Sequence, residues 1–164
     1  MAVNYHFMHC EPQIVFDVLA DGWVFPTWVV GASRMRGVEG HWPSPGSNIH
    51  HSFGIWPLLL NDVTSVLEWD APIHALLKAR AWPVGQAHVA MDVRERRGGC
   101  VVRMTEDVIA GPARLIPTPL IEPVTIVRNR ESLRRLGFIA EGWARDGKPD
   151  ASAGSTRTDS PTAA

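Results

Sequence analysis

Cys100-Val-Val-Arg-Met-Thr-Glu-Asp-Val-Ile-Ala-Gly-Pro112, followed by Ile126-Val-Arg-Asn-Arg-Glu-Ser-Leu-Arg-Arg-Leu-Gly-Phe-Ile-Ala140, is the stretch on which the fold turns. The first segment reads as a strand to Ala110 and breaks at Gly111-Pro112. The second reads as one long amphipathic helix. A chain that offers strands for about seventy residues and closes on a single helix must lay that helix across its sheet to bury either face, which makes the fold class α+β. Pro117, Pro119 and Pro123 crowd the start of the helix, where missing N–H groups cost least, and Thr118 is placed to cap it. Because Pro123 suits a helix interior poorly, the regular helix begins at either Pro119 or Pro123. Ile126, Leu133, Leu136 and Ala140 recur at helical spacing with Asn129 among them, so this side is expected to face the sheet. Arg128, Glu131, Arg134 and Arg135 fall elsewhere.

Working back toward the N-terminus, Val3 to Cys10 reads as a first strand. Glu11-Pro12 opens a helix with Ile14, Val15, Val18 and Leu19 on one side, and Asp21-Gly22 ends it. Trp23 to Val30, interrupted by Pro26, is expected to form a second short helix or turn. Six further strands follow at about Ser33 to His41, Asn48 to Ile55, Asp62 to Asp70, His74 to Trp82, Gln86 to Arg96 and Cys100 to Ile109. Links such as Ala71-Pro72, Pro83-Val-Gly85 and Gly98-Gly99 are short enough to force antiparallel neighbours, giving seven strands in all. Past Trp143 no large apolar residue remains, so residues 1–143 are read as one domain and 144–164 as a disordered tail.

Composition excludes several classes of function. The 164 residues carry a formal net charge of -1, with 45% hydrophobic and 20% charged residues. No Lys/Arg block supplies the electrostatic footprint of a nucleic-acid binder. No run approaches the about 20 apolar residues of a membrane helix, and the N-terminus lacks a basic region followed by an apolar one; a cytoplasmic protein is expected. Cys10 and Cys100 form no CxxC motif, yet pairing of the first and last strands would bring them together, where two free thiols are the simplest reading. Of the seven histidines, neighbours such as His50 and His51 point to opposite faces of a strand, so no metal site is expected. Nucleotide fingerprints and a nucleophile elbow are absent from the sequence, and no cofactor is expected.

Several local phrases carry a resemblance: Phe16-Asp-Val-Leu-Ala-Asp21, Trp28-Val-Val-Gly-Ala32, Trp42-Pro43 with Gly46-Ser47, Ala81-Trp-Pro-Val-Gly85, Glu106-Asp107 with Gly111-Pro112, and Arg128-Asn129 with Leu133 and Leu136. Together with the order of elements they resemble a bacterial subgroup of the SRPBCC superfamily, which includes START, polyketide cyclase/dehydrase and Bet v 1-like proteins. The resemblance implies a helix-grip fold, a seven-stranded curved antiparallel sheet wrapped around the long C-terminal helix, with two short helices after the first strand and a cavity between sheet and helix.

Strand alternation then nominates the lining. Val102, Met104, Glu106 and Val108 share one face of the last strand, and Glu106 is the odd member of it. Ala87, Val89, Met91 and Val93 form the inward set before it, and Leu77, Ala79 and Ala81 the one before that. Val63, Ser65, Leu67 and Trp69 are assigned inward against Asp62, Thr64 and Glu68. Ile49, His51 and Phe53 complete the lining, with Asn129 from the helix. Trp23, Trp28, Trp42 and Trp56 lie where they would close the core ends or a cavity mouth.

The candidate ligand-binding set is therefore His51, Phe53, Ser65, Leu67, Trp69, Leu77, Ala79, Val89, Met91, Met104, Glu106 and Asn129. Plainer roles exist for its polar members: a packed core position for His51, an arginine partner for Glu106, a backbone-anchoring role for Asn129. A mostly apolar lining with small residues and few polar groups suits a hydrophobic or aromatic small molecule such as a lipid, isoprenoid or polyketide. Two readings follow. One is a binder or carrier, acting as monomer or homodimer. The other is an enzyme of the cyclase/dehydratase type, without metal or nucleotide cofactor, using Glu106 as general acid/base.

Overall fold

The computed structural model describes residues 1–55, 58–81, 85–115 and 118–149. The chain runs β1 (Ala2–Met8), α1 (Pro12–Ala20), a single 3-10 turn (Gly22–Val24), α2 (Phe25–Trp28), then β2 (Ala32–Glu39), β3 (Asn48–Ile55), β4 (Leu58–Asp70), β5 (His74–Ala81), β6 (Gly85–Arg96) and β7 (Gly99–Ala110), a second 3-10 turn (Pro112–Leu115) and α3 (Thr118–Asp146). The strands form one antiparallel sheet in the order β1-β7-β6-β5-β4-β3-β2. The curved seven-stranded sheet and the long C-terminal helix make this a helix-grip fold.

α3 starts at Thr118, so Pro123 sits inside the helix and removes one of its hydrogen bonds. A proline in a helix interior costs about 3 kcal/mol. Burial of Leu133 and Leu136, both fully buried, contributes about 1.5–3 kcal/mol each and offsets that cost. Leu133, Leu136, Ala140 and Asn129 face inward as their spacing predicts, but Ile126 is exposed and Ser132 takes a buried place beside Asn129. α3 packs chiefly along β1 and against α1 and α2, and touches β7 much less. Three polar ties fix it there: Asn4 Nδ2 donates to the carbonyl of Ile126 (3.0 Å), Glu141 accepts from the amide of His9 (2.8 Å), and Ser132 Oγ accepts from the amide of Val30 (3.1 Å).

α1 opens with Pro12 at its first turn and buries Val15, Phe16, Val18 and Leu19. In the Trp23 to Val30 segment, Phe25 and Trp28 enter the core while Trp23 stays exposed. Trp42 packs on the core edge and donates its indole N–H to the carbonyl of Leu19 at 3.2 Å. Trp56 lies outside the described residues. Gly31, at φ +100°, holds a backbone conformation that side chains resist, and a Cβ there would lie 2.3 Å from the Phe53 ring. That missing side chain lets Phe53 fold inward at the sheet's open end.

In one strand the alternation was assigned in the wrong phase. In β4, Asp62, Thr64 and Val66 are buried, whereas Val63, Ser65 and Leu67 turn toward the convex face. A register shift between Val66 and Glu68 inserts one extra residue, so the faces exchange there and Trp69 returns inward against Phe16. A single bulge residue inverts every assignment on one side of it.

The expected meeting of the two cysteines does occur. β1 pairs with β7 so that Met8 lies opposite Cys100, both cysteines are free and buried, and their thiols lie near enough to interact. Contact with Cys100 and burial push the Cys10 thiol up. α3 continues past Trp143 to Asp146, and Lys148 pairs with Asp21 at 3.0 Å and lies over the Trp143 ring; residues 150–164 of the expected tail lie outside the described residues. Both thiols should resist an aromatic disulfide reagent in the native protein and titrate as two groups once it is unfolded in urea. Fast native labelling of either would contradict this packing.

Candidate functional site

The sheet curves away from α3 beyond β7, and the helix, held against β1, leaves a gap over the middle strands. Ala79 and Ala87, side by side on β5 and β6, are too small to fill it. The result is a cavity of about 210 Å³. Its apolar walls include Phe25 and Trp28 from α2, Phe53 from β3, Leu77 from β5, Val89 from β6, and Met104 and Val108 from β7. Of the sequence-nominated residues, His51, Phe53, Leu77, Ala79, Val89, Met104, Glu106 and Asn129 are brought together around this space.

Four are not. Ser65 and Leu67 lie on the other face of β4, Ser65 donating to Asn48 Oδ1 at 2.6 Å. Trp69 and Met91 belong to the hydrophobic core beyond the cavity's inner end, Met91 fully buried there. Conversely, Asp62, Thr64, Arg128 and Ser132 line the cavity without having been nominated. For Asp62 and Thr64 the signal was hidden by the bulge. For Arg128 it was present as the residue beside Asn129, because a long side chain can reach around a helix from a flanking position.

Two polar clusters stand in the wall. On the β7/α3 side, Glu106, 9% exposed, is ion-paired with Arg128 through Oε2, and the same oxygen accepts from Asn129 Nδ2 at 2.9 Å. Arg128 also donates to Asn129 Oδ1 at 2.9 Å and 3.2 Å. The three side chains form a closed ring of charge-assisted bonds. Asn129 therefore holds a carboxylate, and the anchoring of a neighbouring loop's backbone falls to Ser132 one turn on.

On the β3/β4 side, His51 Nε2 lies 3.0 Å from Thr64 Oγ1, and its ring sits 5.0 Å from that of Phe25. Its Nδ1 is buried with no partner among the described residues. Burial, helped by the charge of Arg36, pulls the His51 imidazole down to about 4, so it is neutral at physiological pH. Asp62 accepts only the amide of Val63, at 2.8 Å, and has no ion pair among the described residues. Burial pushes its carboxyl up to about 6. The cavity thus presents a neutral imidazole and an acid that changes state near neutrality on one side, and a compensated ion pair on the other. No group of three or more potential metal ligands occurs among the described residues.

Solved structures share this architecture. A protein of unknown function from Staphylococcus aureus aligns with a TM-score of 0.68 at 8% identity, covering 88% of this chain and 94% of that one. A protein from Rhodobacter sphaeroides gives 0.67 at 16% identity, covering 85% and 91%. Ara h 8.0201 gives 0.62 at 10% identity, covering 87% and 95%. The likeness is one of fold. It supports the helix-grip architecture described above. No protein-family model and no curated protein matches the chain. No helix among the described residues is long and apolar enough to cross a membrane.

Two stability measurements test this electrostatic picture. Asp62 is pushed above its ordinary value of 3.8, so its contribution favours the folded state below about pH 4 and is lost as pH rises through about 6. His51 acts in the opposite sense: its contribution is present above about pH 6.5 and lost as pH falls through about 4. Asp62→Asn removes the first effect alone, and its stability relative to the parent should improve by about 1–3 kcal/mol between pH 4 and pH 7.5 in urea unfolding. An unchanged difference would place Asp62 in water. Glu106→Gln leaves Arg128 beside the cavity without its counter-charge and should cost about 1–3 kcal/mol at pH 7.

Proposed function

We propose that this chain binds a small hydrophobic or aromatic molecule in the cavity between the sheet and α3. The observation that carries the reading is a predominantly apolar cavity of about 210 Å³ that the protein's own side chains leave unfilled. Tight packing is the rule in protein interiors, and voids larger than a few waters are uncommon. Size narrows the ligand. The space exceeds the about 150 Å³ of an engineered cavity that accepts benzene, yet is below the about 300 to 1,000 Å³ of pockets for drug-sized ligands. A single substituted ring or a short isoprenoid fits this volume better than a long-chain lipid or a multi-ring polyketide. Asp62, His51 Nδ1 and Thr64 offer hydrogen-bonding partners to a hydroxyl or carbonyl on such a molecule.

The enzyme reading, a cyclase or dehydratase with Glu106 as acid, loses support from the geometry. The Glu106 carboxylate has its Oε2 taken up by Arg128 and Asn129, which ties β7 to α3 and leaves that oxygen engaged within the wall. Asp62 is the cavity carboxyl with no ion pair among the described residues, and acid–base chemistry in this space would fall to it, with the neutral His51 beside it on β3. Binding needs no such step and accounts for the cavity by itself.

Native mass spectrometry of protein purified from its own host should show a stoichiometric small organic ligand, to be released and identified. In parallel, single-ring phenols and monoterpenoid alcohols should shift the fluorescence of Trp28, a lining residue, and Trp28→Phe should remove that signal. Ala79→Leu, which fills the cavity, should weaken binding by at least about tenfold with the thermal midpoint held. An empty protein whose fluorescence ignores the whole panel would sink the reading.

A further inference from the structure

The opposite face of the sheet carries a second concavity, of about 190 Å³, lined by Tyr5, Asp92, Arg94, Arg96, Val101 and Arg103. Its construction follows from register. Tyr5 on β1 lies opposite Arg103 on β7, which lies opposite Asp92 on β6; Val101 lies opposite Arg94, and Gly99 opposite Arg96. Cys100, Val102 and Met104 on β7 and Met91 and Val93 on β6 point into the core, so the intervening residues stand together on the convex side. The long arms of Arg94, Arg96 and Arg103 wall the space around Val101.

The charges in this concavity are unbalanced. It holds three guanidinium groups and one carboxylate, and that carboxylate is already engaged: Asp92 Oδ1 is 2.8 Å from His74 Nδ1. Among the described residues no carboxylate lies within ion-pair distance of Arg94, Arg96 or Arg103. Among the described residues Arg96 donates only to the carbonyl of Glu95, at 3.1 Å. The Nε–H of Arg103 is buried with no acceptor among the described residues. Like charges on neighbouring strand positions repel, and a buried donor without an acceptor is costly. One multivalent anion would remove both penalties at once.

We propose that this concavity is a binding site for a phosphate group, either free phosphate or the phosphomonoester end of a larger molecule. A phosphomonoester brings close to two negative charges and three terminal oxygens, which matches three guanidiniums better than a two-oxygen carboxylate does. The planar fork of arginine pairs bidentately with phosphate, and Arg103 presents an unused Nε–H for one such bond. Tyr5, largely exposed at the rim, adds an aromatic surface and a hydroxyl beside the anion. The site stands on the far side of the sheet from the apolar cavity and does not depend on what that cavity binds.

The test is a titration of the full chain with inorganic phosphate and, separately, phenyl phosphate at fixed ionic strength, followed by amide NMR shifts. Saturable shifts confined to the convex face of β1, β6 and β7 are expected. Arg103→Gln should weaken binding by at least about tenfold, with the thermal midpoint unchanged or raised because a repelling charge is gone. Arg94→Gln provides a second variant at an exposed position. Sedimentation with phosphatidylcholine vesicles containing phosphatidic acid, but not with phosphatidylcholine alone, would assign the phosphate to a lipid headgroup; phosphate binding without sedimentation would assign it to a soluble molecule. Shifts that stay linear in concentration, equal binding by Arg103→Gln, or salt-sensitive binding of RNA with no response to phosphate would each overturn the proposal.

Discussion

The seating of α3 against β1 is the constraint on which the rest of the molecule depends. Leu133, Leu136 and Ala140 bury their side chains at that seam, and Asn4, Ser132 and Glu141 fasten the helix with hydrogen bonds to or from backbone at three points. A straight helix cannot follow a sheet that twists and curls. Seated at one edge, it must stand off from the strands in the middle. Whether the space beneath it becomes core or cavity then depends on side-chain volume: Met91 and Trp69 fill the inner end, while Ala79 and Ala87 leave the other end open.

The same seating decides the electrostatics. Glu106 sits on an inward position of β7 directly under the helix, where an unpaired carboxylate would carry a large desolvation cost. Arg128 and Asn129 descend from α3 to meet it, so the ion pair both neutralises the wall and adds a fourth attachment between helix and sheet. Asp62 lies across the cavity on β4 and has no ion pair among the described residues. The cavity's two carboxyl groups thus differ in surroundings through position alone, one ion-paired with a cation and the other, on Asp62, pushed up chiefly by burial.

The sheet's outer face obeys the opposite rule. Water there tolerates charge, and alternation places Arg94, Arg96 and Arg103 outward because their neighbours are needed inside. Solvent alone explains exposed arginines. It does not explain a guanidinium N–H that is buried without an acceptor among the described residues.

Much of this was legible in the residues. Periodicity and turn residues gave the order of elements, the antiparallel neighbours, the meeting of Cys10 with Cys100 and the inward faces of β3, β5, β6 and β7, because those features depend on short-range spacing in a single chain. Asn129, Leu133, Leu136 and Ala140 announced the buried stripe of α3 for the same reason. The exposure of Ile126, the volume of the cavity and the ring joining Glu106, Arg128 and Asn129 were decided only when distant segments packed. So was the inward turn of Asp62 and Thr64: the bulge at Val66–Glu68 arises from how β4 pairs with β5, and one extra residue there exchanges the faces of a strand whose own sequence reads equally well either way.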